Sequence, residues 1–322
     1  MELRILSSLD IGRCLDMSGA IDAMRDAFGQ LSAGEADIPR RLALETPEGV
    51  SLFMPGYLPG SGDLAAKIVS VYGGNPARGL PVVNAVVVVL DVSTGIPVAL
   101  MNGTSLTALR TGAAGGLAAD FLALPEADTV ALFGAGVQAR TQLEAVRAVR
   151  PIRRVRILSR GGESAGRMVA ELEGVEAELA SDPVHCLEGA QIVITATDAF
   201  EPVFPGEFVT PGTHVTGVGS FTPDMQEVDA ALVTRAKVVV DSREAALAEA
   251  GDLIIPIREG SFHPEEIHAE LGELVSGLRR GREDASEITF FKSVGTAAQD
   301  VAVAGRVFRK ARSMDLGTVV EF

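Results

Sequence analysis

Apolar and polar positions follow two rhythms along this chain, and the rhythm changes near residue 120. Up to that point the pattern predicts a helix over 16–32, then strands at Arg41–Leu44, Ser51–Met54 and Leu64–Tyr72. A hairpin-like pair follows, Val82–Leu90 and Val98–Met101, turned by DVSTGIP, and these strands imply a mixed or antiparallel sheet. Ser105–Leu122 reads as a helix rich in Ala and Gly, whose small side chains suit close packing between two domains. Beyond it, apolar runs of strand length begin near 130, 155, 177, 192, 214 and 237 with helical patterns between them, the rhythm of a doubly wound parallel sheet. ITFFKSVG and the helical pattern TAAQDVAVAGRVFRKARSM close the chain and return it to the first domain. No internal repeat or low-complexity tract interrupts this order.

The change of rhythm coincides with TVALFGAGVQA at 129–139, where a buried apolar strand runs into GxGxxA and then into a helical pattern. A dinucleotide pyrophosphate fits such a turn. Gly134 permits the tight bend, Gly136 lets phosphates approach the backbone, and the small Ala139 lets helix and strand pack closely. A glycine motif alone is weak evidence, but here strand, turn, helix and a second strand (Arg154–Leu158) fall in order. About 20 residues past the turn an NAD site usually carries an Asp or Glu for the ribose 2′-hydroxyl; Ser159 stands in that place and Arg160 follows. An acid repels a 2′-phosphate and an arginine attracts it, so NADPH is the expected cofactor and NADH the weaker alternative. The plainer reading makes Arg160 one more surface arginine.

Composition narrows the function classes. With 322 residues, 47% apolar and 22% charged, the chain is globular and long enough for two cores. Its net charge of −15 disfavours a nucleic-acid partner, so any anionic ligand must be held by local arginines. The longest apolar runs, such as 82–90, fall short of the ~20 residues of a membrane span, and MELRILSSLD lacks the cationic start and apolar core of a signal peptide; no membrane partner and a cytoplasmic location are expected. Cys14 and Cys186 have no metal-type spacing and read as buried thiols, and the four histidines form no HExxH or HxH pattern, so no metal is expected.

Lysine usage singles out one residue. Only four of the 28 basic residues are lysines, and Lys67 lies in DLAAKIVSVY with apolar side chains to either side. It is either the snorkelling edge of a strand or a buried ammonium with a paired anion. Arg41, in IPRRLAL, and Arg110, in LTALRTGAA, are each unremarkable alone, but with Lys67 they make a candidate carboxylate clamp, arginine supplying bidentate hydrogen bonds and lysine a movable proton.

PRR near 40, MPGY at 54–57, AAKIVSVY, LTALRTGAA, GAGVQA, THVTGVGS at 213–220 and FKSVGTAAQD at 291–300 together resemble the ornithine cyclodeaminase and mu-crystallin family over essentially the whole chain. The resemblance implies an α/β fold in which a Rossmann-type doubly wound parallel sheet (119–295) is inserted in a discontinuous α+β domain for substrate binding and dimerisation (1–118 plus 296–322). It also implies a homodimer with its active site between the domains. By the same resemblance Arg41, Lys67 and Arg110 hold the substrate carboxylate, Lys67 also handles the proton, and Val294 stands on the substrate side. Arg110 and Thr111 lie beside the cofactor, Val137 and Gln138 belong to its turn with Gly134 and Gly136, and Thr195, Thr197, Val218, Gly219 and Ser293 surround the ribose and nicotinamide. Ser159 and Arg160 resemble the NADPH-type members.

One departure changes the expected chemistry. Cyclodeaminases of this family, and the archaeal alanine dehydrogenases similar to them, carry an Asp in a run like GGDxPGK; here VGSFTPDMQEVD places Phe221 at that position, with Asp224 three residues on, where mu-crystallin-like members also have an acid. Oxidative deamination needs a base at the amine, which Phe does not supply. The expected reaction is therefore NADPH-dependent reduction of a cyclic imine carboxylate, Δ1-pyrroline-2-carboxylate or Δ1-piperideine-2-carboxylate, to L-proline or L-pipecolate. A cyclodeaminase or amino-acid dehydrogenase recruiting another base such as Asp224, and a non-catalytic NADPH-binding protein of mu-crystallin type, stay open as alternatives.

Overall fold

The structure, a computed structural model, describes residues 2–321. Strand β1 (Glu2–Leu6) is followed by helices α1 (Ser8–Cys14) and α2 (Met17–Ser32). Ser7 and Asp16 accept first-turn N–H groups of these helices, satisfying donors that a helix start leaves unpaired. Strands β2 (Leu42–Thr46), β3 (Gly49–Leu58), β4 (Asp63–Val71), β5 (Val83–Leu90) and β6 (Pro97–Asn102) run antiparallel, neighbour to neighbour. Between β5 and β6 the Asp91 carboxylate accepts the Ser93 and Thr94 N–H groups and closes the expected turn. Asn102 caps α3 (Gly103–Leu122) by accepting from Ser105 N.

Next, β7 (Thr129–Phe133), α4 (Val137–Val149), β8 (Arg154–Leu158), α5 (Gly162–Glu171), β9 (Glu176–Leu179), α6 (Pro183–Leu187), β10 (Ile192–Thr195) and β11 (His214–Gly217) alternate as the sequence predicts. They lead into α7 (Ala230–Val233), β12 (Ala236–Val240), α8 (Arg243–Glu249), α9 (Gly251–Arg258), β13 (Ala269–Glu270), α10 (Leu271–Val275) and β14 (Ile288–Lys292). Helix α11 (Ala297–Met314) and strand β15 (Thr318–Glu321) end the chain.

The chain divides into two compact units: the residues through Arg110 with those from Thr296 on, and Thr111–Gly295. The first holds a mixed sheet in the order β15-β1-β6-β5-β4-β3-β2, with α11 packed on β3, β4 and α2. Burial along β4 alternates, which puts Asp63, Ala65, Lys67 and Val69 on the buried face. Two ion pairs of opposite sense join that face to α11: Asp63 with Arg309, and Lys67 with Asp300. The registers match, since four strand residues and nine helical ones both span about 13 Å. Gly305 sits between these pairs, where a Cβ would overlap the Asp63 carboxylate.

The second unit is an all-parallel sheet in the order β13-β12-β14-β11-β10-β7-β8-β9. Every residue of β7 is buried; Ala131 and Phe133 enter one core and Val130 and Leu132 the other, so helices cover both faces. Strand order reverses between β7 and β10, and in such sheets ligands bind in the crevice outside the C-terminal strand ends. Cys14 and Cys186 are free and buried, and burial pushes the Cys186 thiol up to about 12. No helix of the described residues is long and apolar enough to cross a membrane.

The glycines of α3 do local work: Gly112 and Gly115 bring it against α4 within the second unit. A Cβ on Gly115 would overlap the side-chain oxygen of the buried Gln142, whose amide nitrogen donates to Thr111 O at 2.7 Å. Gly115→Ala is therefore expected to cost about 1–3 kcal/mol through overpacking. Gly166→Ala in α5, where a Cβ meets nothing within 4 Å, is expected to hold or raise stability. Thermal unfolding followed by circular dichroism compares the two; equal melting temperatures would remove the packing argument.

Candidate active site

In the first unit, three charged side chains converge where β4, α3 and α11 meet. Lys67 Nζ lies 2.6 Å from Asp300 Oδ2, and Arg110 Nε donates to Asp300 Oδ1 at 3.0 Å. Arg110 also donates through Nη1 to Gln299 Oε1. Lys67 is 2% exposed, Arg110 6% and Asp300 1%. Desolvating an ion costs several kcal/mol, so such charges persist only when paired. Of the two readings of Lys67, the structure shows the buried ammonium with its anion. Asp300 itself went unrecognised in the sequence, although an acid inside the apolar helical run AAQDVAVAG was the available signal.

Two cations here share one carboxylate. Burial pulls the Lys67 ammonium down to about 8; Asp300 holds it up, while Arg110 and, more weakly, Arg41 push it down. Arg41 precedes β2, so all three members of the candidate clamp act on one locality electrostatically.

The second unit opens a cleft of about 870 Å3 beyond the C-terminal ends of β7, β8 and β10, with Gly134, Gly136, Ser159, Arg160 and Thr197 in its lining. Gly134 has φ +107°, and a Cβ there would overlap the Ala196 carbonyl oxygen, so only glycine fits this bend. Gly136 is the N-cap of α4, makes no side-chain cap, and would direct a Cβ into open space. Val137 and Gln138 form the first turn, and Ala139 is fully buried against the sheet. An uncapped helix start, a bare backbone and an open cleft fit a dinucleotide pyrophosphate. At the end of β8, Arg160 is exposed and paired with Asp198, which also lines the cleft.

The other strand ends are tied by buried acids that sequence reasoning missed. Glu227, fully buried, accepts from Thr197 N at 2.6 Å, Thr197 Oγ1 at 2.8 Å, Thr195 Oγ1 at 3.0 Å, Gly219 N at 2.6 Å and Ser220 N at 3.3 Å. Burial pushes its carboxyl up, and Lys292 draws it back down. Its own N–H donates to Asp252 Oδ1 at 2.6 Å, and Asp252 Oδ2 pairs with Lys292 Nζ at 2.7 Å with both side chains out of water. A Cβ on Gly219 would overlap the Glu227 carboxylate. Asp241 Oδ2 in turn accepts from Ser293 Oγ, Val294 N and Gly295 N at 2.7–2.9 Å. Thr195, Thr197, Gly219, Ser293 and Val294 are thus held by carboxylates, while Val218 N donates to Thr195 O and Thr111 contributes its carbonyl to Gln142. Lys292, a rare lysine inside ITFFK, was the signal for this network.

The segment carrying the departure from the cyclodeaminases presents no buried base before Glu227. Phe221 is 43% exposed, and Asp224 has an exposed side chain in ionic contact with Arg258 at 3.8 Å. Glu227 itself is saturated with donors.

Comparison with known proteins adds to this geometry. The family model described as the ornithine cyclodeaminase/mu-crystallin family matches residues 1–315. A Δ(1)-pyrroline-2-carboxylate reductase of Bacillus cereus is 39% identical over 324 residues, covering 99% of each chain. Among solved structures, the Thermococcus litoralis Δ(1)-pyrroline-2-carboxylate reductase in complex with NADH and L-proline is 41% identical with a TM-score of 0.95, covering 98% of this chain and 99% of that one. An archaeal alanine dehydrogenase dimer with bound NAD is 35% identical with a TM-score of 0.95, covering 100% of both chains. The glycine turn, the buried lysine and the strand-end motifs lie within one continuous match, and this chain belongs to the ornithine cyclodeaminase/mu-crystallin family.

Proposed function

We propose that this chain reduces the C=N bond of a cyclic imine bearing an adjacent carboxylate, Δ1-pyrroline-2-carboxylate or Δ1-piperideine-2-carboxylate, to L-proline or L-pipecolate, with NADPH preferred over NADH. The observation that carries this reading is the Lys67–Asp300–Arg110 cluster: two buried cations on one carboxylate leave positive charge for an anionic substrate to neutralise. Gln299 Nε2 is also buried without a hydrogen-bond partner among the described residues, a donor suited to the same anion. The relatives named for Δ(1)-pyrroline-2-carboxylate reduction, one of them with NADH and L-proline bound, support the substrate class and the nicotinamide cofactor.

A bound nicotinamide supplies the hydride, which adds to the imine carbon as the cofactor is oxidised. The imine nitrogen takes up one proton, and Lys67, still largely protonated at neutral pH, is the group to donate it or to stabilise the amine formed. Arg41 and Arg110 orient the carboxylate beside the reacting carbon, turning binding energy into alignment. The turn at Gly134 and Gly136, with Val137 and Gln138, would hold the pyrophosphate, and the Glu227-braced strand ends would hold the ribose and nicotinamide side. With Phe221 in place of an acid and Asp224 exposed, neither of these positions offers a buried carboxylate base for amine oxidation. Assembly as a dimer, as in the archaeal alanine dehydrogenase, is part of the same proposal.

The preference for NADPH rests on Ser159 and Arg160. Arg160 would exchange Asp198 for the 2′-phosphate. Arg160→Ala is expected to raise the KM for NADPH and leave that for NADH nearly unchanged; equal losses would end the argument.

Removing one charged partner of a buried carboxylate costs on the order of 2–5 kcal/mol, about 30-fold or more in kcat/KM. Arg41→Ala is therefore expected to be crippled on Δ1-pyrroline-2-carboxylate and little changed on unsubstituted Δ1-pyrroline, read by NADPH oxidation at 340 nm. Parent-like rates on both imines would eliminate the clamp. L-ornithine with NAD+ is expected to give no ammonia or proline above background, and robust turnover would restore the cyclodeaminase reading.

A further inference from the structure

We propose that Asp300 is a positioning residue of this reaction: by dividing its two oxygens between Lys67 and Arg110, it governs how tightly Lys67 keeps its proton and lets Arg110 turn to the substrate's carboxylate. The inference rests on the reductase reading and adds to it a residue that makes no claim on the substrate itself.

The geometry carries the argument. Asp300 Oδ2 faces Lys67 at 2.6 Å and Asp300 Oδ1 faces Arg110 at 3.0 Å, so neither cation has sole possession of the anion. Asp300 lies in the first turn of α11, where the helix dipole favours a carboxylate. On the strands flanking β4, Lys67 is opposed by Met54 and Val87, which offer no charge. The charged groups facing it are thus Asp300 from α11, Arg110 from α3 and Arg41 from the approach to β2.

When a substrate carboxylate reaches Arg110, it takes over part of Asp300's role toward that guanidinium. Asp300 is then left more fully to Lys67, and the ammonium holds its proton more firmly while the substrate is bound. Proton transfer from Lys67 to the imine nitrogen creates the positive charge that hydride addition to the neighbouring carbon then consumes, and leaves a neutral lysine amine beside an Asp300 that Arg110 still balances. Asp300 thereby couples carboxylate binding to proton supply.

Opposite-signed shifts test this. Reduction needs protonated Lys67, so kcat falls as pH rises through the Lys67 titration, near 8 in the free protein. Asp300→Asn removes the anion paired with Lys67 and is expected to move the basic limb of the kcat profile down by about one pH unit or more, roughly a fivefold or greater loss at pH 8. The KM for the imine carboxylate is expected to stay level or fall, because Arg110 no longer divides its attention. A merely structural Asp300 would lose activity evenly across pH. Arg110→Gln removes the competing cation and is expected to raise the KM and move the limb up, so it decides the matter even where Asp300→Asn does not fold. Asp300→Glu, retaining the charge, should keep the limb within a few tenths of a pH unit of the parent. A limb that stays in place in Asp300→Asn, or that fails to rise in Arg110→Gln, overturns the proposal. Should the parent protein reduce no cyclic imine carboxylate, the reductase reading fails on its own. Titration calorimetry with pyrrole-2-carboxylate, a planar ring carboxylate that is not reduced, then reads the same two shifts in the pH dependence of binding.

Discussion

Keeping Lys67 charged out of water is the constraint on which the charge cluster of the first unit turns. An ammonium that is 2% exposed persists only with an anion in contact, and Asp300 is that anion at 2.6 Å. The anion is shared, so the compensation is partial, and an ammonium brought down to about 8 is one that surrenders its proton near neutrality. A lysine solvated at a strand edge would sit near ~10.4 and be a poor acid for the same task. Burial, incomplete pairing and a second cation are thus one device seen from three sides.

The device depends on register. Lys67 and Asp63 share the buried face of β4, and Asp300 and Arg309 lie the matching distance apart on α11. A one-residue slip of β4 would turn Lys67 to the opposite face and leave Asp300 without its ammonium. The close approach that allows the pairing is set by Gly305, where no side chain can be accommodated next to Asp63. Fold and proton chemistry are specified by the same few positions.

Much of this was legible in the chain. The strand–turn–helix around Gly134 and Gly136, the parallel rhythm from 129 to 240 and the antiparallel ladder from β2 to β6 follow from periodicity and turn chemistry, and the structure forms them within a few residues. What was not legible depends on long-range pairing. β1 and β15 are short strands that pair with each other across the full length of the chain, and no local pattern announces that. Asp300 and Lys67 lie 233 residues apart, and Glu227 reaches Thr195 and Thr197 across a strand crossover. A buried acid looks like any other acid until its donors are found, although each interrupts an otherwise apolar stretch. Phe221 and Asp224 were legible in the other direction, as an absence of the expected base.

The two units use buried carboxylates in opposite ways. Glu227 is surrounded by five donors drawn from two strand ends, and Asp252 holds it from behind while pairing with Lys292. A carboxylate so fully satisfied has little to gain from moving, which suits a frame that must keep backbone groups where a dinucleotide meets them. Asp300 has two cations and no surplus of donors, so its contacts can be redistributed when another anion arrives. Satisfaction gives rigidity and its lack gives responsiveness, and the proposed reaction would use both: a fixed cradle for the cofactor and a charge cluster that changes with the substrate.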